Sequence, residues 1–277
     1  MTILLWLVAA IGLLPLVIGI ARLGGGGPRI DARSFVASVL LCALAFSLTF
    51  LVQELGLVLP KALVPGLDPI LYHNDHDWSG DAPVAELLQG GGAVATLLSG
   101  LLFLWLAGRI SPARPTWRLF AFWMAFQGLF QSLSQWAVGS WLPGNDVGRA
   151  LAYLGAGSPE KGPLFMSAVS AMFAAGLLLA RRYPAAKAGR NTLWQLLATL
   201  ALATILVIPF RVPREPVEVV LIPLVVHIIG LGWLTIGLGF RREARPLPAA
   251  PTIAGPLAAL VALLAIFQLV LRPGISF

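Results

Sequence analysis

SFVASVLLCALAFSLTFLVQELGLVLPKALVPGLDPILYHNDHDW, residues 34–78, decides the fold. Its first part, 34–59, is apolar almost throughout, and as a helix it would be about 39 Å long at 1.5 Å per residue. That exceeds the ~30 Å hydrocarbon core of a bilayer, so the run reads as a membrane-crossing helix. Glu54 is the one charge in it. A carboxylate there costs a few kcal/mol unless a partner, a proton or water compensates, which makes Glu54 a site residue by default. Beyond it, Pro60, Pro65 and Pro69 prevent one continuous helix. The segment carrying His73 and His76 is therefore expected to fold back as a cap or re-entrant loop over the helix end.

The rest of the chain agrees with a membrane setting. Of its 277 residues 58% are hydrophobic and only 11% charged, too few polar groups for the surface of a water-soluble globule. Apolar runs of spanning length recur at 2–22, 34–59, 92–110, 117–140, 163–181, 192–210, 217–240 and 254–272. The first run lacks a basic leading segment and is long enough to span, so it is read as a helix and not as a signal peptide. The expectation is an all-α polytopic protein of about eight transmembrane helices. It forms one integral membrane domain over 1–277, with a core at about 34–155 and accessory helices at about 163–272. Cys42 is the single cysteine, which excludes a disulfide or a cysteine metal cluster within one chain.

A net charge of +7 does not point to nucleic acid, because the basic residues stand in short groups beside apolar runs. The bilayer is the expected partner. Thirteen of the 19 basic residues fall on odd-numbered loops: Arg22, Arg29 and Arg33; Arg109, Arg114 and Arg118; Arg181, Arg182, Lys187 and Arg190; Arg241, Arg242 and Arg245. The positive-inside rule then places odd loops in the cytoplasm and both termini outside. Glu54, the loop with His73 and His76, and the loop with Asn145 and Asp146 all open to the non-cytoplasmic face.

Several polar residues inside or beside the runs have alternative readings. The stretch GGGAVATLLSG, from Gly90, suits close helix packing. Gln127, Gln131, Ser134 and Gln135 share one helical face, which must avoid lipid by lining a cavity or bonding to a neighbour, with Glu54 as an available partner. Asp146 is placed to cap the short helix after Pro143-Gly144. His227, in the middle of the seventh run, is read as a buried hydrogen-bonded histidine, a ligand or a proton relay. Glu54, Gln127, Gln131 and His227 would form the polar path of a transporter, but no repeated halves accompany them.

The sharpest chemical reading belongs to His73-Asn74-Asp75-His76-Asp77-Trp78. Two imidazoles with one carboxylate, from Glu54 or Asp146, make a zinc or iron environment with a coordination position left for water. Asp75 or Asp77 would orient an imidazole, and Asn74 and Asn145 would line the site.

The order of three motifs between about 45 and 155 resembles the core of site-2 proteases, polytopic zinc peptidases acting within or beside the membrane. Those motifs are Gln53-Glu54-Leu55-Gly56-Leu57, then GGGAVATLLSG, then LPGNDVGRALAYLG. The resemblance implies a hydrolase with a membrane-embedded or membrane-adjacent substrate, Glu54 as general base and Asp146 as a zinc ligand. Gln53 and Leu57 stand where the family has its two histidine ligands. Either His73 and His76 restore them from the adjoining loop, or the chain is an inactive relative that binds or scaffolds.

Overall fold

A computed structural model describes residues 6–27, 31–183, 188–241 and 250–277. Arg29, Lys187, Arg242 and Arg245, which entered the charge count, lie outside the described residues.

Each of the eight apolar runs forms helix. In chain order these are α1 (Trp6–Arg22), α2 (Ala32–Ala62), α4 (Gly91–Arg109), α5 (Pro115–Gly139), α7 (Ser158–Arg182), α8 (Arg190–Arg211), α9 (Val217–Phe240) and α10 (Ala254–Leu271). Two short helices, α3 (Val84–Leu88) and α6 (Asp146–Tyr153), lie in the connections. Six helices among the described residues are long and apolar enough to cross a membrane: α2, α3 continued by α4, α7, α8, α9 and α10. α1 is shorter, and α5 carries the glutamine stripe that lowers its hydropathy. Every residue from Ala121 to Ser134 on α5 is buried, so this helix meets other helices where a lipid-facing one would need an apolar surface.

Glycine sets how closely the first helices cross. A side chain added at Gly56 would lie 2.6 Å from Ala95 Cβ and 2.8 Å from Gly91 O, so α2 and α4 touch through backbone there. The stretch GGGAVATLLSG is thus a packing surface, as its small residues suggested.

The fold departs from all-α at one end of the bundle. β1 (Asp68–Leu71) and β2 (His76–Ser79) form an antiparallel hairpin, and β3 (Ile275–Ser276) adds to β1, giving the order β2-β1-β3. α2 runs through Pro60 into its last turn before Gly66, at φ +85°, reverses the chain. The hairpin turn is closed by Tyr72 N donating to Asp75 O at 2.8 Å. Pro69 sits in β1 opposite Trp78, on a strand so short that its missing N–H interrupts little. The segment therefore folds back over the end of α2, held by pairing with the C-terminal strand, which local sequence does not reveal.

Candidate functional site

The hairpin brings β2 onto the last turns of α2. Glu54 is 3% exposed, and its Oε2 lies 2.9 Å from Nδ1 of His76. The other ring nitrogen, Nε2, lies 3.2 Å from Oε1 of Gln89, between α3 and α4. An imidazole facing two oxygen acceptors satisfies both only when it carries both protons. Turning the Gln89 amide over would give Nε2 a donor and suit the neutral ring. Glu54 is thus satisfied inside the protein, by a histidine and not by the glutamine stripe.

The stripe serves other partners. Gln53 Oε1 accepts from Gln131 Nε2 at 2.5 Å and from Gln135 Nε2 at 2.8 Å. Gln127 Nε2 donates to Nε2 of His227 at 2.9 Å, and Nδ1 of His227 meets the Thr204 hydroxyl at 2.8 Å. That hydroxyl donates to Leu200 O, so His227 reads as an Nδ1–H tautomer bonded on both sides. It joins α5, α8 and α9 as a buried structural residue, separate from the Glu54 cluster.

His73 and His76 part company at the hairpin turn. His73 Nε2 donates to Val212 O at 3.2 Å, and Asn74 Nδ2 donates to Arg211 O at 2.6 Å, both tying the turn to the end of α8. Burial holds the His73 imidazole below its ordinary pKa, and the nearby Arg272, Arg214 and Arg211 act the same way. The side chains that do converge are Glu54, Asp75 and His76, with one potential ligand atom each inside 4.8 Å. The two-imidazole site read from the sequence is replaced by one imidazole and two carboxylates. Asp77 is exposed and accepts its neighbour's amide, Trp78 N, at 2.8 Å.

Asp146 opens α6, half-buried. Burial raises its carboxyl pKa, while His76, Lys61 and Arg149 pull it down and Glu54 pushes it up, so it belongs to the same electrostatic group. The helix cap is Asn145 and not Asp146: Asn145 Oδ1 accepts from Gly148 N at 3.2 Å.

Several members of the cluster were not singled out from the sequence. Lys61 is 0% exposed; its Nζ donates to Leu57 O at 3.0 Å and stands 4.7 Å over the Trp78 ring. Arg149 covers Trp78 at 5.2 Å and forks onto Glu86 through two 2.7 Å bonds. His76 stacks on Trp78 with ring centres 5.9 Å apart. Arg214 pairs with both Asp75 and Glu218, and the Arg211 guanidinium lies 4.2 Å over Phe50. Lys61 was legible in principle, because seven residues after Glu54 it returns to the same face of α2.

The resulting group sets five carboxylates (Glu54, Asp75, Glu86, Asp146 and Glu218) against Lys61, Arg149, Arg211, Arg214 and the His76 imidazole. Five carboxylates against four fixed cations leave the set within about one charge of neutral. A divalent ion bound by Glu54, Asp75 and His76 would have to displace the hydrogen bond to His76 and the Arg214 pair on Asp75. Chemically the group can anchor the hairpin, or hold a cation once Arg214 swings away.

Comparison with protein-family models, curated proteins and solved structures finds no match to this chain.

Proposed function

We propose that this chain is a non-catalytic membrane-embedded binding or scaffold protein, an inactive relative of the site-2 proteases. In this reading the inherited catalytic centre has become a self-neutralised polar plug. The observation that carries the reading is that Gln53, His73 and His76 are each held by partners within the protein. Gln53 is taken by Gln131 and Gln135, His76 by Glu54 and Gln89, and His73 by Val212. Leu57, at the second ligand position of the resemblance, is 1% exposed and packed beside Gly92. Six apolar helices support an integral multi-pass protein. We extend this to eight crossings, adding α1 and α5, with the hairpin end outside the cytoplasm on the distribution of basic residues.

A second reading keeps a metal-dependent hydrolase, and the convergence of Glu54, Asp75 and His76 favours it. One imidazole and two carboxylates suit zinc, manganese or iron. Calorimetric titration of the chelator-stripped protein with zinc and manganese separates the two. The scaffold reading expects no saturable heat that depends on His76, and binding lost in His76→Ala would overturn it in favour of a metal centre, the requirement of the hydrolase reading.

A further inference from the structure

A cavity of about 770 Å³ lies between α2, the start of α5 and α10, within the range of small-molecule sites. Its walls are apolar: Leu41, Leu44 and Leu48 from α2, Phe120 from α5, and Ala259 and Leu263 from α10. Polar groups gather at one end, where Arg114, Thr116 and Thr252 line it. Leu48, the lining residue on α2 nearest Glu54, precedes it by six residues, about 9 Å along the helix, and no member of the Glu54 cluster lines the cavity.

α10 leaves this space open because it packs by one stripe. Pro256, Leu260 and Leu263 are buried, while Leu257 and Val261 are exposed at 47% and 59%. The mouth is held by a small polar clasp, with Thr252 N donating to Thr116 Oγ1 at 2.9 Å. Beside it Trp117 is 61% exposed, in the manner of a ring at the headgroup level. Arg114 is exposed and has no carboxylate partner among the described residues, and no acid occurs between Arg109 and Arg118.

An apolar slot long enough to be shared by three helices, closed at one end by an exposed arginine, a hydroxyl pair and an interfacial tryptophan, has the two-part chemistry of a phospholipid. We infer that this cavity holds an acyl chain of an anionic phospholipid, whose phosphate is met by Arg114. The guanidinium offers the phosphate paired N–H donors, and the Thr116–Thr252 hydroxyls lie at the same end. Charge complementarity selects an anionic headgroup over a zwitterionic one, since Arg109 and Arg118 add to the same positive loop.

The test uses the full chain in detergent with phosphatidylglycerol or phosphatidylcholine of identical chains, read by native mass spectrometry and thermal melting. The expected result is a retained phosphatidylglycerol adduct with a raised Tm, and weaker retention of phosphatidylcholine. Arg114→Ala is expected to weaken phosphatidylglycerol binding about tenfold, the loss of one charged hydrogen-bonded contact. Ala259→Trp, filling an exposed lining position, is expected to abolish retention of both lipids while helix content stays unchanged. Equal retention of the two lipids, an Arg114→Ala protein that binds like wild type, or the same stabilisation by glycerol phosphate without chains would each overturn the inference. So would displacement of the lipid from wild type by an apolar helical peptide.

Discussion

Glu54 Oε2 stands 2.9 Å from Nδ1 of His76, linking the last turns of α2 to a strand 22 residues further on. The carboxylate is almost wholly buried and the imidazole nearly so, and this pair is the contact through which the hairpin caps the helix. Removing one partner leaves the other desolvated. Glu54→Leu is expected to cost about 3 kcal/mol, and Glu54→Leu combined with His76→Leu to recover most of it. Unfolding in detergent by a double-mutant cycle checks this, and additive losses would show that the two side chains act independently.

Gln53 holds two amides at once, so its loss should cost more than one hydrogen bond. Gln53→Leu strands the donors of Gln131 and Gln135 in the interior. The expected loss is about 2–3 kcal/mol, against less than about 1 kcal/mol for Gln135→Leu. Thermal melts of the two variants in the same detergent provide the comparison, and equal small losses would mean the glutamine stripe is dispensable.

How far the sequence carries can be traced through these residues. Run length and composition lead directly to the helices, because burial in lipid demands apolar residues over a fixed distance. The need of Glu54 for a partner also follows, since an isolated intramembrane charge is too costly. Which partner it finds depends on the β1–β2 register and on pairing between residues 70 and 276, a contact that no local pattern encodes. The turn between β1 and β2 separates His73 from His76. Their three-residue spacing suggests shared ligation on a helical turn, but at a hairpin turn one imidazole faces α8 and the other faces α2.

His73 gives the fold a pH dependence whose sign follows from its surroundings. Burial among Arg272, Arg214 and Arg211 holds its folded pKa below 6.5, so the unfolded chain takes up the proton first as pH falls. The stabilisation from neutral His73 is complete above about pH 6.5 and declines below it, by at most about 1.4 kcal/mol per pH unit. Thermal melts from pH 8 to pH 5 should fall less steeply for His73→Gln than for wild type. Identical slopes would remove His73 from the account.

Orientation can be read by labelling without removing the native cysteine, because Cys42 is fully buried. Asp77→Cys, on the exposed edge of β2, is expected to react with an impermeant maleimide from the non-cytoplasmic side. Ser111→Cys, on the basic loop between α4 and α5, should react only after permeabilisation. The reverse pattern would invert the assignment made from the basic residues.

The proposed conversion of a catalytic centre into a neutral plug is tested most directly by the metal content of the native protein. Protein extracted gently from its own membrane and analysed for zinc, manganese and iron is expected to carry far less than one equivalent. Its Tm is expected to stay unchanged after chelator treatment. One retained equivalent of a divalent metal that is lost in both Glu54→Gln and His76→Ala would contradict the proposal and assign Glu54, Asp75 and His76 to a metal centre.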